Sequence, residues 1–234
     1  MHLDHLTLHA KDLNAQRNFY AGTLGLEIAV HTPQQLTIRA GTSRLTFLHD
    51  PAHTAVSHLA FDIPRTLVHA AQAWLEARLP LLPDADGHTR FEPNERWNTT
   101  NMYFADPAGN IVEFIARHDC PHDHAGPFDA SHVLHLSEYG LVVDDVPDTV
   151  RWLGKTHGLH PFNGQSSTFT AVGNHDGMLI VVPARRGWMP TGQPAVAAPF
   201  EVVWDGNHVL GSRDVVAMSS ATPTAHAGQS RRVP

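Results

Sequence analysis

The segment from Tyr103 to Glu113 combines residue types that could do chemistry with a spacing that fixes where they lie. Its centre, Asp106-Pro107-Ala108-Gly109, has the composition of a tight turn, because proline presets φ and glycine supplies the positive φ that such turns require. The flanking runs NMYF and IVEFIA are short and apolar, as in buried strands. A carboxylate inside a buried strand is costly unless a cation or several donors meet it. Glu113 is therefore predicted to be paired or bound to a metal ion.

Two histidines further upstream, His5 and His58, are candidate partners for this glutamate. Each occurs in a predicted strand, His5 in HLDHLTLHA and His58 in SHLAFDI. Because side chains alternate between the two faces of a strand, His5 shares a face with Thr7, and His58 shares a face with Asp62. Polar side chains on one face of a half-apolar strand indicate the wall of a cavity. Either histidine taken alone also fits an ordinary core histidine.

These strands open copies of one repeated unit, a strand followed by a helix and three strands. In the first copy Asp12 is the predicted helix N-cap. In the second copy Pro64 opens the helix, and in the third Asp145 takes the place of Asp12. A last strand-like run, PFEVVW, has the character of the opening of a fourth copy. The pattern predicts a mixed α+β fold of repeated βαβββ units, in which the third unit has no complete partner.

The repeat and its motifs resemble the vicinal oxygen chelate superfamily, which includes glyoxalase I, bleomycin-resistance proteins, extradiol ring-cleavage dioxygenases and fosfomycin-resistance thiol transferases. The resemblance covers residues 1–117 and, more loosely, 133–205. It implies that two units curl their sheets around one divalent ion, and it places the ligands at His5, His58 and Glu113. Two imidazoles and one carboxylate suit a first-row metal, and Fe(II) or Mn(II) is the expected cofactor.

Three activities remain open within this resemblance. The pattern Tyr-x-x-Asp-Pro-x-Gly-x-x-x-Glu is similar to that of ring-cleavage dioxygenases, in which Tyr103 would be the active-site tyrosine, although residues 94–100 contain no histidine at the position of their acid–base group. The first strand, His-Leu-Thr, is similar to that of the fosfomycin-resistance enzymes and implies that Thr7 and Tyr103 contact the substrate. A third possibility is a binding protein that sequesters a drug or metabolite without a metal. The leading expectation is an extradiol-type dioxygenase, and Trp97 fits its planar apolar substrate.

Composition sets bounds on these possibilities. The 234 residues are enough to bury one large core or two small ones, and 42% of them are hydrophobic. A formal charge of −7, with no run of lysine or arginine, disfavours nucleic acid and anionic membranes as partners. The single cysteine, Cys120, excludes an intramolecular disulfide framework and agrees with a cytoplasmic location. A small molecule is the expected partner, and an oxidoreductase the expected class.

Along the chain, four segments are predicted. Residues 1–118 form the paired metal-binding domain, 119–132 a linker, 133–206 the third unit with one extra strand, and 207–234 a mobile tail. The histidine-rich run His118–His124 is compatible with a second metal site, but its flanking prolines and glycine favour the linker. The third unit is expected to bind no metal, because Glu138 and Glu201 stand where His5 and His58 do. Its apolar face would need cover, either from a homodimer formed through residues 133–205 or from the first domain.

Overall fold

Three units of strand, helix and strands follow one another along the chain, in a computed structural model that describes residues 1–221. The first unit consists of β1 (Leu3–Ala10), α1 (Leu13–Arg17), a π-helical turn (Asn18–Thr23), β2 (Glu27–His31), β3 (Gln35–Ala40) and β4 (Ser43–His49). The carboxylate of Asp12 accepts the backbone N–H of Ala15 at 2.9 Å, so the predicted N-cap of the first helix is present.

The second unit carries the Asp-Pro-x-Gly turn. It comprises β5 (His58–Asp62), a 3-10 turn (Arg65–Leu67), α2 (Val68–Glu76), β6 (Arg90–Phe91), β7 (Thr99–Ala105) and β8 (Ile111–Arg117). The carboxylate of Asp106 accepts the N–H groups of Ala108 at 2.8 Å and Asn110 at 3.0 Å, and Gly109 has a φ of 84°. Tyr20 and Gln16 of the first unit donate to the same carboxylate at 3.1 Å. The turn therefore forms as predicted, and it also ties the first unit to the second.

The third unit follows the segment that was predicted to be a linker. After a 3-10 turn (Ala130–His132) come β9 (His135–Val143), α3 (Val146–His157), β10 (Pro161–Phe162), β11 (Thr170–Asn174) and β12 (Gly177–Pro183). Asp145 caps α3 by accepting the N–H of Asp148 at 2.8 Å, as its alignment with Asp12 predicted. The segment before the turn is fixed by Arg65, whose guanidinium donates to Asp123 at 2.7 Å and to the His118 carbonyl at 2.7 Å.

The chain continues with a small hairpin and then with elements where a tail was predicted. The hairpin is β13 (Gly187–Trp188) with β14 (Gln193–Pro194), and β15 (Glu201–Trp204), β16 (His208–Gly211) and α4 (Ser212–Ala221) follow it. The predicted mobile tail is wrong for residues 208–221, since β16 pairs with β15 and Val215 of α4 is buried in the core. Residues 222–234 lie outside the described part of the chain. No helix in residues 1–221 is long and apolar enough to cross a bilayer.

Strand β9 determines how the units pair. One open sheet of 14 strands contains the path β2-β3-β4-β1-β9-β5-β8-β7-β6, with β12 also on β9 and β15 on β1. The second unit is thus joined to the third through β5 and β9, while the first strand of the chain is joined to β15. The prediction that units one and two pair with each other within residues 1–118 is therefore wrong. The repeated units are present as predicted. Because the pattern is the same in every unit, it does not indicate which units are hydrogen-bonded to each other.

Alternating side chains give the sheet two different faces in the second and third units. On one face Val112 and Phe114 of β8 join Leu179 and Val181 of β12 in the main core. On the other face Ile111 joins Met178, Ile180 and Val182 in a smaller apolar cluster. Glu113 lies on this second face, between Ile111 and Ile115. The third unit therefore packs back onto the second within one chain, which is the cover expected as the alternative to a homodimer.

Candidate functional site

A cavity of about 600 Å³ lies against the second face of the sheet, between the second and third units. Its floor is formed by strand side chains, among them His58, Glu113 and Glu138. Aromatic side chains from both units form its walls: Phe91, Trp97, Tyr103, Phe169 and Trp188. This volume lies in the range that small-molecule sites occupy, and the mixture of aromatic walls with a few polar groups is typical of such sites.

Three potential metal ligands meet on the floor of this cavity. His58 on β5, Glu113 on β8 and Glu138 on β9 each offer one donor atom, and these atoms all lie within 4.8 Å of one another. All three residues are buried, with exposed fractions of 6%, 2% and 6%. They come together because β5 is hydrogen-bonded to β8 on one side and to β9 on the other, with Ala60 in register with both glutamates.

The orientation of His58 leaves its Nε2 atom available on the cavity side. Its Nδ1–H donates to the carbonyl of Ile111 at 3.2 Å, so Nε2 carries the lone pair, and it lies 3.5 Å from Oε2 of Glu113. Burial lowers the pKa of His58, with a smaller contribution from the positive charge of Arg186, and the ring is therefore neutral near pH 7. A neutral imidazole with its other nitrogen hydrogen-bonded to a backbone carbonyl is the usual state of a metal-binding histidine.

The ring of Trp188 covers His58, with the two ring centroids 5.1 Å apart. This contact depends on Gly140 of β9, because a Cβ atom there would lie 2.6 Å from the indole of Trp188 and 3.1 Å from the Cβ of His58. The third unit thus contributes two things to the site. Glu138 provides a carboxylate, and the missing side chain of Gly140 leaves room for Trp188.

The carboxylate of Glu113 is held by two neighbours on β7. Asn101 donates a hydrogen bond to Oε1 from its side-chain amide, and Tyr103, in register with Glu113, brings its hydroxyl close enough to favour the ionised carboxylate. Burial raises the pKa of Glu113 well above its ordinary range, and the nearby charge of Glu138 raises it further. Burial likewise raises the pKa of Tyr103 well above that of a free tyrosine, which keeps its hydroxyl protonated.

The carboxylate of Glu138 is paired with Arg117 of β8. Nη2 of Arg117 donates to Oε1 at 2.6 Å, and Nη2 and Nε also donate to the hydroxyl of Ser137 at 2.9 and 3.1 Å. Both members of the pair are buried. Arg117 pairs with Glu138 alone, so ionisation of Glu113 as well would give the floor a deficit of positive charge, which the raised pKa of Glu113 reflects. A divalent cation would remove that deficit, so the donor set, its burial and its charge fit a metal ion.

The structure does not bring all the predicted ligands together. It joins His58 and Glu113, but His5 lies on β1, where its Nε2 is 2.7 Å from the hydroxyl of Thr46, and it does not line the cavity. Its inclusion in the metal set is corrected: β9 stands between β1 and β5 and supplies Glu138 at the position equivalent to His5. The alignment of the repeated units already matched Glu138 with His5, so the sequence did indicate Glu138 as a possible ligand. The third unit was expected to bind no metal by itself, and it contributes one residue, Glu138, to a donor group that it shares with the second unit.

Of the two residues predicted to contact the substrate, Tyr103 lines the cavity and Thr7 does not. Thr7 is also on β1, in register with Glu201 of β15 and Thr46 of β4. Trp97 lines the cavity and stacks on Phe162 of the third unit, with ring centroids 5.9 Å apart. The planar apolar substrate that was inferred from Trp97 stays a prediction.

A second group of donors lies at the mouth of the cavity. Asp84, Asp86 and His88 also bring donor atoms within 4.8 Å of one another, but Asp86 and His88 are exposed. The carboxylate of Asp84 accepts hydrogen bonds from the backbone N–H groups of Asp86 and His88 at 2.9 Å. These bonds form a turn, and the turn brings the three side chains together without a metal ion. Neither of the two donor groups found in residues 1–221 includes the run His118–His124.

Known proteins with similar sequences or structures share the fold described above. The family model of the Glyoxalase/Bleomycin resistance protein/Dioxygenase superfamily matches residues 2–114 of the sequence. A solved structure of a proposed dioxygenase from Bacillus subtilis subsp. subtilis strain 168 has a TM-score of 0.58 and 18% identity, with 85% of this chain and 67% of that chain covered. At this identity the likeness concerns the fold. No protein with a curated description matches the sequence.

Two further structures match about half of the chain. Lactoylglutathione lyase from Agrobacterium tumefaciens has 24% identity and a TM-score of 0.39, covering 49% of this chain and 92% of that one. A glyoxalase/bleomycin resistance protein/dioxygenase from Alicyclobacillus acidocaldarius has 19% identity and a TM-score of 0.42, covering 50% and 92%. Residues 2–114, which hold most of the first two βαβββ units, thus belong to the glyoxalase/bleomycin resistance/dioxygenase superfamily, that is, the vicinal oxygen chelate superfamily.

Proposed function

We propose that the protein is a metal-dependent enzyme whose substrate is a small molecule with neighbouring oxygen atoms. The observation that carries this proposal is the buried group His58, Glu113 and Glu138 on the floor of an aromatic-walled cavity. Fe(II) and Mn(II) are the metals to test first, because both accept imidazole together with carboxylate oxygen. A divalent ion held by these side chains would act as a Lewis acid toward the oxygen atoms of the substrate.

Extradiol-type ring cleavage is the first reaction to test. Trp97 and Phe91 offer flat apolar surfaces against which a catechol ring fits. The hydroxyl of Tyr103 stays protonated because burial raises its pKa, and it can donate its one proton to an oxygen atom of the substrate. His88, at the mouth of the cavity, is a candidate for moving a proton, since residues 94–100 provide no histidine. Thr7, which supported a thiol-transferase assignment, lies outside the cavity.

Metal stoichiometry tests the site directly. Protein purified without a histidine tag is titrated with Mn(II) and with Fe(II) under anaerobic conditions, and bound metal is measured by mass spectrometry. We expect one ion per chain, and a loss of affinity of at least roughly ten-fold in Glu113→Gln and in Glu138→Gln. His5→Gln is the matched control, because it removes an imidazole that lies outside the donor group, and it should keep the metal. Loss of the ion in His5→Gln but not in Glu138→Gln would contradict the site.

Catalysis is tested on the Fe(II) protein. Dioxygen uptake is followed with catechol and substituted catechols, and Tyr103→Phe should lower the rate by roughly ten-fold to a thousand-fold if its hydroxyl stabilises developing charge. A chain that binds one ion but consumes no dioxygen with any of these substrates would exclude ring cleavage, while the metal site would stand.

A metal-free binding protein is the second candidate, and one observation favours it. Asn101 and Arg117 already give each buried carboxylate a donor without any metal ion. The two candidates differ in the titration above, since a pure binder would show no saturable uptake of Mn(II) or Fe(II) and no dependence on Glu138.

A further inference from the structure

Two positively charged side chains at the cavity, Arg96 and Arg186, have no acidic partner within residues 1–221. A third arginine of the lining, Arg90, is different, because its Nε donates to Glu92 at 2.6 Å. An unpaired guanidinium on a protein surface needs no explanation, but two of them that line the same cavity do. The chain has a negative formal charge overall, so acidic partners are not scarce.

Phe169 brings these two guanidinium groups to one place. The Cζ atom of Arg186 lies 4.9 Å from the centre of the Phe169 ring, and that of Arg96 lies 5.3 Å from it. Arg96 comes from the second unit and Arg186 from the third. The two units are joined near this place by the side-chain amide of Asn163, which donates to the Arg96 carbonyl at 2.9 Å. Contact with an aromatic face stabilises each cation, but two cations on one ring repel each other unless an anion lies nearby.

Arg186 in particular is held in a costly position. It is half-buried, and removal of water lowers the pKa of its guanidinium. The guanidinium makes one hydrogen bond within the described chain, from Nη1 to the neighbouring Gly187 carbonyl at 3.2 Å. A guanidinium has five N–H donors in a planar fork that matches a carboxylate, so most of its capacity is free for a bound molecule.

We propose that the substrate is an aromatic carboxylate, whose carboxylate group is bound by Arg186 and Arg96 while its ring lies between the aromatic walls. The proposal rests on the proposed function, in that it takes the cavity to be the substrate site. The ring would contact Trp97 and Phe91, and the end opposite the carboxylate would face the floor formed by His58, Glu113 and Glu138. The two arginines determine specificity; the floor performs the reaction.

The test uses a ligand that needs no metal. Binding of 2-naphthoate and of its neutral isostere 2-naphthamide is measured by calorimetry on the full chain in the presence of EDTA, at pH 7 and low salt. We expect the acid to bind roughly 10- to 100-fold more tightly than the amide, the range expected of hydrogen bonds to a charged group. Increasing salt should reduce this preference without affecting the amide.

Matched variants assign the preference to individual residues. Arg186→Gln should remove it by weakening the acid alone, Arg96→Gln should reduce it in part, and Arg186→Lys should keep some of it because the charge remains. Arg185→Gln is the control, since Arg185 is the exposed neighbour and does not line the cavity, and it should bind both ligands as the unaltered protein does. Thermal melting of each variant checks that it is folded.

Two results would overturn the proposal: equal affinity for the acid and the amide in the unaltered protein, or an equal loss of both ligands in Arg186→Gln. Either result is distinguishable from failure of the metal assignment, because the naphthoate measurement contains no metal and the Mn(II) titration contains no naphthoate.

Discussion

Replacing Asp62 with asparagine is expected to stabilise the protein in a pH-dependent manner. Asp62, the last residue of β5, is 1% exposed, and neither of its carboxylate oxygens has a partner at hydrogen-bond geometry among the described residues. The N–H of Ile63, which lies close enough to favour the ionised form, donates to the carbonyl of Ile115 at 2.9 Å. Burial raises the pKa of Asp62 from its ordinary 3.8 to about 7. Arg117 opposes this shift, and Glu138 adds to it.

The sign and size of the effect follow from these two pKa values. Below pH 3.8 the carboxyl is protonated in the folded and the unfolded chain, and it does not change stability. As the pH rises toward 7, the unfolded chain ionises Asp62 while the folded chain keeps it neutral, so folding becomes less favourable. Above pH 7 the loss levels off at about 4 kcal/mol, since each pKa unit corresponds to about 1.36 kcal/mol. Asparagine has no such loss.

His135 makes asparagine a suitable replacement for Asp62, because its ring offers a nitrogen that can accept a hydrogen bond. Its Nδ1–H donates to the carbonyl of Leu136 at 3.0 Å, which leaves Nε2, 3.6 Å from Oδ2 of Asp62, as an acceptor. Burial lowers the pKa of His135, so the ring stays neutral and cannot neutralise an ionised Asp62 at pH 8. The amide of an asparagine can donate to this nitrogen whenever the imidazole is neutral, whereas the carboxyl can do so only while it is also protonated.

Urea unfolding at pH 5 and at pH 8.5 measures the prediction. The stability gained by Asp62→Asn should be about 3 kcal/mol larger at pH 8.5 than at pH 5. Asp144→Asn is the control, because Asp144 is exposed, and it should change stability by less than about 0.5 kcal/mol at either pH. A gain in Asp62→Asn that is the same at both values would refute the reasoning, because it would show that Asp62 does not titrate between them.

Two further variants test the buried contacts around the site by urea unfolding. Arg117→Met should lower the free energy of unfolding by about 3 to 5 kcal/mol, because it leaves the charge of Glu138 buried without its cation, and adding Glu138→Gln should recover most of the loss; no recovery would mean that the ion pair is not the cause. Gly140→Ala should cost about 1 to 3 kcal/mol, because its Cβ meets the indole of Trp188, and most of the cost should disappear in a Trp188→Leu background, where only the contact with His58 remains. An undiminished cost there would place the strain elsewhere.

The sequence was most informative where a structure depends on neighbouring residues. The Asp106 turn and the Asp12 and Asp145 helix caps follow from local turn and capping chemistry, and all three are present. Glu113 could be recognised as a functional candidate because a lone carboxylate in an apolar strand is unusual. His58 followed from its place in the repeat, and the structure places it beside Glu113.

The remaining parts depended on distant pairing, which the local pattern does not contain. His5 and Glu138 occupy equivalent positions in equivalent strands, and only the sheet order decides that β9 rather than β1 lies beside β5. Arg186 carried no sequence signal, since a pair of arginines in a loop after a strand is ordinary. The helix at Ser212–Ala221 was missed because its composition is rich in small polar residues, yet Val215 packs it onto the core.

The central place of β9 has a consequence for biosynthesis. The ribosome completes β1 and β5 well before residues 135–143 emerge, so during translation both strands present an unpaired edge, which β9 later covers along β5 and β15 covers along most of β1. A nascent chain that ends near residue 117 would include the whole segment matched by the family model, but it would lack the strand that joins β1 to β5. Unpaired strand edges make such an intermediate prone to aggregation. The excised segment 1–118 is accordingly expected to be insoluble when it is expressed alone.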